Sequence, residues 1–310
     1  MSAFMSRSSA PCDGARASGD GGDAFNIHSA HPDLCRSPAD IDHIVAIGYV
    51  MAMRPPRTVA FLCPVIAAVV ICAGGETPAG VAPGAAALPP DALIVALNGN
   101  DANPGTLALP FATIQKAVNV VPVGGTIAIR GGTYALLTNI QIKRSGTAAG
   151  PITMTSYPGE RVIIDGEQLP NTPAPLNGSI ARADRGAIHQ EASWWRIIGL
   201  EIMNGPYGVY CDGCNNNVWE RLVTHDNYET GFQLQGASSN NLILNLDSFG
   251  NRDPRKNGES ADGLGIKEGS GTGNVVRGAR LWNNVDDGFD AWKFLSPIRI
   301  EDSMAWGNGF

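Results

Sequence analysis

Three aspartates fall within five residues at Asp286, Asp287 and Asp290, inside the stretch Trp282-Asn283-Asn284-Val285-Asp286-Asp287-Gly288-Phe289-Asp290-Ala291-Trp292. Carboxylates held a few ångströms apart repel, and protons return to them unless a cation removes the cost. Oxygen-only ligands of this kind suit a hard ion, Ca²⁺ before any softer metal. The plainer reading is a solvated acidic turn, and the stretch alone does not exclude it. The repeat that contains it shifts the balance.

Three segments share one frame. Asn217-Val218-Trp219-Glu220 leads to Asn227 ten residues after Asn217, and Thr230-Gly231-Phe232 follows. Asn241-Leu242-Ile243-Leu244 leads to Asn251 at the same spacing, then after an insertion to Asp262-Gly263-Leu264. Asn274-Val275-Val276-Arg277 leads to Asn284 and Asp287-Gly288-Phe289, and a looser copy runs from Ile298 to Asn308. Each copy reads as a short strand, an Asn-bearing turn and a second short strand opened by glycine. Repeats of 20–35 residues with β-branched strands and Asn/Gly punctuation predict a solenoid, here a parallel β-helix. Stacked coils lie about 4.8 Å apart. The alignment sets Asp262 directly under Asp287, with Asp286 and Asp290 beside it, so four carboxylates converge on one patch.

The elements that must carry this patch are strands. The 310-residue chain is 44% apolar and 16% charged, with 38 glycines and six tryptophans, a turn-rich β composition with material for a core. Its formal charge of −7 and lack of a basic stripe argue against nucleic acid as partner. The spacing predicts a first strand at Leu93–Leu97 and an amphipathic helix near 111–121, capping the open end of the solenoid. Further strands are expected at Thr126–Arg130, Ile140–Ile142, Ile152–Ser156, Val162–Ile164, Trp195–Ile198 and Val209–Tyr210, with a Pro-rich loop from Leu169 to Leu176.

Upstream, residues 1–50 show no sustained periodicity and are expected to be a disordered or misassigned leader. Arg54 and Arg57 precede an apolar run from Val59 to Ala73 and a small-residue tract, the anatomy of a secretory signal peptide over 51–80. About 15 apolar residues is short for a membrane span. A linker is expected at 81–92 and the domain at 93–310. The mature protein is expected to be secreted and monomeric.

Four of six cysteines lie before residue 75. Cys211 and Cys214 remain as Cys-x-x-Cys, for which a local disulfide is the first reading, free thiols the second and a metal half-site the last. His189 and His225 stand alone in sequence and read as structural, with no support for Ser-His-Asp chemistry.

The pattern Asn98-Gly99-Asn100-Asp101, with Asn103-Pro104-Gly105 and Pro110-Phe111-Ala112-Thr113-Ile114-Gln115-Lys116-Ala117, resembles the amino-terminal cap of secreted right-handed parallel β-helix proteins. Ala261-Asp262-Gly263 with Lys267, taken with the Trp282–Trp292 stretch, is similar to family 9 polysaccharide lyases, the pectate lyase group with a single catalytic Ca²⁺. The resemblance spans roughly residues 93–310. It implies Ca²⁺ held by Asp262, Asp286, Asp287 and Asp290, and an acidic polysaccharide as substrate. In that family the base is a lysine on a later coil, in an Asn-Gly-x-Lys-like context. The sequence reaches Phe310 before that position, so the expectation is a fragment that keeps the metal site and lacks the base.

The implied chemistry is β-elimination: the proton α to a uronate carboxylate is removed and the glycosidic oxygen expelled. Lys267 and Lys293 lie near the aspartates and are candidates for binding substrate carboxylates, although a surface or rung-end role is the first reading for each. Two rivals stand beside the lyase reading. Asp286 and Asp287 could act as acid and base in a polygalacturonase-type hydrolase, but the Asn-Thr-Asp, Gly-His-Gly and Arg-Ile-Lys signatures of that group are missing. A non-catalytic surface β-helix stiffened by Ca²⁺ is the other.

Overall fold

A computed structural model describes residues 87–309. The expected leader, the signal peptide and residues 81–86 of the linker lie outside the described residues. At 87–92, Ala92 is buried and packs with Ile94, Ala128 and Leu88 beside the first strand.

The chain winds into a right-handed parallel β-helix with three sheets. The first has eight strands, from Leu93–Val95 through Thr126–Ile129, Ile152–Ser156, Trp195–Ile198, Val218–Glu220, Leu242–Leu244 and Asn274–Arg277 to Ile298–Glu301. The second has seven, from Gly132–Ala135 to Met304–Trp306, and the third six, from Ile140–Ile142 to Phe289–Asp290. Every strand pairs in parallel with its neighbours one coil away. Each regular coil therefore carries three strands, where the sequence pattern suggests two. The middle strand, such as Val223–His225, is only three residues long. Its inward position is Thr224, so it shows no apolar alternation to be read.

Register stacks like on like. Met154, Ile197, Trp219, Ile243 and Val276 form one inward column of the first sheet, and all are buried. In the third sheet Ile188, Val209, Phe232 and Leu264 do the same. Their apolar contact with the other two sheets fills the core. The second sheet places Thr224 and Ser248 inward, and they satisfy each other: Thr224 Oγ1 donates to Ser248 Oγ at 2.8 Å, and Ser248 Oγ to the Gly263 carbonyl at 2.7 Å. The helix Ile114–Val120 buries Ile114, Ala117 and Val118 against the first strands, and Thr113 caps it by accepting from the Lys116 amide. It is shorter than the 111–121 expected, because Phe111 is already bridged to Val95 as part of the strand layer.

The corners explain the ten-residue asparagine spacing. Asn217, Asn241 and Asn274 form one side-chain ladder, and Asn227, Asn251, Asn284 and Asn308 a second. Where the backbone leaves a sheet its N–H and C=O groups lose their ladder partners. A primary amide supplies both a donor and an acceptor and repeats at the coil spacing. Cys211 and Cys214 are buried and joined by a disulfide, with Cα atoms 6.0 Å apart.

Candidate metal centre

The third sheet positions the aspartates. Leu264 lies opposite Phe289 and Gly265 opposite Asp290 on adjacent coils. Counting back two residues puts Asp262 opposite Asp287, and the Gly263 amide donates to the Asp287 carbonyl at 2.9 Å. The glycine after each aspartate is required by close packing. A Cβ on Gly263 would stand 2.7 Å from Asn284 Nδ2, and one on Gly288 2.7 Å from Asn308 Nδ2. Thus the asparagine ladder sets the depth at which the acidic column sits.

Asp262, Asp287 and Asp290 each bring a carboxylate oxygen within 4.8 Å of the others. Asp286 is not in that trio. It flanks it closely enough that, after burial, the charges of Asp262 and Asp287 push its carboxyl up to about 6. Burial, then Asp290, raises Asp287 as well. Asp262 is fully buried, and desolvation raises its carboxyl despite an adjacent ammonium. Its Oδ2 accepts from Thr230 Oγ1 at 2.8 Å and from Lys267 Nζ at 2.7 Å, while its Oδ1 has no partner among the described residues. A buried acceptor without a donor is costly. Carboxylate oxygens that are crowded, buried, raised in pKa and in one case orphaned fit a hard divalent cation.

Lys267 is drawn into this cluster, with Nζ 2.7 Å from both Asp262 Oδ2 and Asp290 Oδ2. Burial pulls its ammonium down, but Asp262 and Asp290 outweigh it and leave the pKa raised. So placed, Lys267 is a cation, not a base. Lys293 is not brought to the aspartates. It is exposed, with Nζ 4.0 Å from the Trp292 ring centroid.

Beside the cluster runs a groove of about 390 Å³ lined by Arg185, Tyr207, Gln233, Lys256, Lys267 and Trp292, among others. Arg185 stacks over Tyr207 and Tyr210, donating to the Tyr210 hydroxyl at 3.3 Å. Sequence reasoning missed Arg185, Lys256 and Thr230. Only Thr230 left a signal, since Thr230-Gly231-Phe232 occupies the same repeat position as Asp262-Gly263-Leu264. The histidines gain partners that sequence did not show: His189 lies 2.9 Å from Glu191 and His225 2.7 Å from Asp226. Both also stack in aromatic columns, His189 on Tyr210 and His225 on Phe249.

This fold and acidic column place the chain among known proteins. Residues 93–310 match the family model described as "Pel9A-like, right handed beta helix region", and the chain belongs to that family. It is 55% identical over 235 residues to pectate lyase PEL9 of Emericella nidulans, covering 70% of this chain and 57% of that protein. It is similar to the crystal structure of pectate lyase Pel9A, with a TM-score of 0.61 and 29% identity over 71% of this chain and 54% of that one. A rhamnogalacturonan lyase structure is similar to the same degree, with a TM-score of 0.61 and 30% identity over 71% of this chain and 58% of that one. The chain spans about half the length of the curated relatives it matches. No helix among the described residues is long and apolar enough to cross a membrane.

Proposed function

We propose that this chain is the metal-binding part of a secreted, monomeric, Ca²⁺-dependent polysaccharide lyase that cleaves uronic-acid polymers by β-elimination. The single observation that carries the reading is the buried Asp262 carboxylate, orphaned at Oδ1 and facing Asp287 and Asp290 across adjacent coils. Family membership supports lyase over hydrolase. Pectate is the favoured substrate on the names of the relatives, with a rhamnogalacturonan backbone the second reading because of the rhamnogalacturonan lyase similarity.

In this proposal Asp262, Asp286, Asp287 and Asp290 hold the ion. A bound Ca²⁺ would supply Lewis-acid stabilisation of the charge that develops on the substrate carboxylate. The chain's own residues do the positioning. Asp262 is fixed by Thr230, the groove beside it presents Arg185 and Lys256, and Trp292 offers an apolar face to a sugar ring. Lys267 is proposed as a carboxylate-binding group on this wall, and Lys293, over the Trp292 ring, as a second one beside it.

Calorimetry tests the ion: the wild-type protein should bind Ca²⁺, and Asp287→Ala should weaken binding most, because Asp287 lies between Asp262 and Asp290. Undiminished affinity in that variant would sink the assignment. Release of unsaturated products absorbing in the ultraviolet tests the reaction. The resemblance puts the base lysine on a later coil, so a polypeptide of residues 1–310 should bind Ca²⁺ yet cleave negligibly. Loss of general-base catalysis removes about 10²–10⁴-fold. Strong lyase activity in that polypeptide would overturn this placement of the base.

A further inference from the structure

Lys267 reaches the aspartates by a route that one missing side chain leaves open. It starts on the strand Leu264–Ser270, opposite Gln235 of the preceding coil. Its stem then turns back across Gly265 toward Asp262. A Cβ at position 265 would stand 2.9 Å from Lys267 Cε and 3.4 Å from its Cδ and Cγ. The bare position gives the stem room to pass, and the ammonium settles between Asp262 and Asp290, 2.7 Å from each.

There one ammonium is shared between two of the carboxylates assigned to the ion and balances a single charge. Asp262 Oδ1 stays without a partner among the described residues. An ammonium and a divalent cation within a few ångströms of each other repel strongly at this burial. The ion would need oxygens that Nζ already holds, Asp262 Oδ2 and Asp290 Oδ2, so the two compete for the same ligands.

We propose that Lys267 is the resident counter-ion of the cation-free site, and that a divalent cation entering the cluster displaces its ammonium into the adjoining groove. There it faces Arg185, Lys256 and Trp292, together with Glu259 and Glu268. A third positive group on that wall would receive the carboxylate of a uronate residue. Metal occupancy and polysaccharide binding are then coupled through one side chain. The inference rests on the cation reading proposed above and adds to it a moving part.

Acetylation of the wild-type protein by an activated ester, with and without Ca²⁺, reads the displacement directly. Lys267 is 12% exposed in its side chain and should be protected without Ca²⁺. Peptide mass spectrometry should show its labelling rise several-fold with Ca²⁺, relative to exposed Lys143 as internal reference. Calorimetry supplies the energetic arm. Lys267→Met removes the competing charge and should tighten Ca²⁺ binding by about ten-fold, the scale of one partly buried charge interaction. Gly265→Ala keeps every charge while crowding the stem at Cε, and should shift affinity in the same direction by a smaller factor even if Lys267→Met fails to fold. Ca²⁺ binding with unchanged Lys267 labelling, or with unchanged or weaker affinity in the variants that fold, overturns the inference and leaves the cation reading standing. A wild-type protein that binds no Ca²⁺ overturns both.

Discussion

Two side-chain columns run side by side through the last coils, and they solve the same stacking problem in opposite ways. Asn227, Asn251, Asn284 and Asn308 repeat one amide per coil, and from Asn251 on each Oδ1 accepts from the backbone and side chain of the asparagine before it, at 3.1 and 3.0 Å between Asn227 and Asn251. Three residues further along two of the coils, and eleven along the one with the insertion, Thr230, Asp262 and Asp287 form the second column. An amide carries a donor and an acceptor, so a stack of amides closes on itself and stays dry. A carboxylate only accepts, so a stack of carboxylates repels and stays open to an outside donor or cation. Identical geometry gives scaffold in one column and a site in the other.

The largest effect should come from mixing the two. Asn251 is fully buried, donating to Asn284 Oδ1 at 2.7 Å while accepting from Asn227. Asn251→Asp keeps the shape but turns a donor into an acceptor facing an acceptor. It should destabilise the fold by about 3 kcal/mol or more, because it buries an unpaired charge. Denaturant unfolding checks this. A loss below about 1 kcal/mol, within the range of ordinary hydrogen bonds, would show that the ladder is not a closed network.

The amide column and the acidic column were not equally legible from sequence. Asparagines at a fixed ten-residue spacing announced the ladder, because the same residue must recur wherever the corner recurs. The pairing of Asp262 with Asp287 followed from the same frame despite the insertion between Asn251 and Asp262. The three-residue middle strands could not be read, since their inward residues are small and polar. Nor could the fold-back of Lys267, which passes over Gly265, two residues before it on the same strand. Arg185 and Lys256 come from irregular segments outside the repeat, so no periodicity brings them to the groove.

A middle-sized effect should appear in pH dependence, and it should shrink with metal. Burial and neighbouring charge raise Asp286 from 3.8 to about 6, and burial followed by Asp253 raises Glu229 from 4.5 to about 7. For acids raised in the folded state, the native protein binds more protons than the unfolded chain between the two values. Their contribution to stability therefore grows as pH falls through about 7 toward 4 and is lost as pH rises. In chelator, the melting temperature should rise on going from pH 7.5 to 5.5. In saturating Ca²⁺ the rise should shrink to the share of Glu229, because the ligand carboxylates are then deprotonated in the bound native protein as they are in the unfolded chain. An equal rise in the two conditions would separate the acidic column from cation binding.

The smallest effect isolates the rung where the acidic column begins. Thr230 Oγ1 lies 2.8 Å from Asp262 Oδ2 and 2.8 Å from the Ser260 carbonyl, but its single proton can serve only one of them. Thr230→Val preserves the branched shape and removes that proton, leaving Lys267 as the sole partner of Asp262 among the described residues. In the absence of metal the loss should be about 1 kcal/mol, the net worth of a buried hydrogen bond. With metal, Asp262 is less firmly oriented, and Ca²⁺ affinity should drop by roughly three- to ten-fold, the equivalent of about 1 kcal/mol. Calorimetry and denaturant unfolding on the one variant give both numbers. If stability falls while affinity holds, Thr230 packs the coil and does not aim the ligand. The acidic column would then be built from two rungs, without the neighbour-to-neighbour alignment that defines the amide ladder.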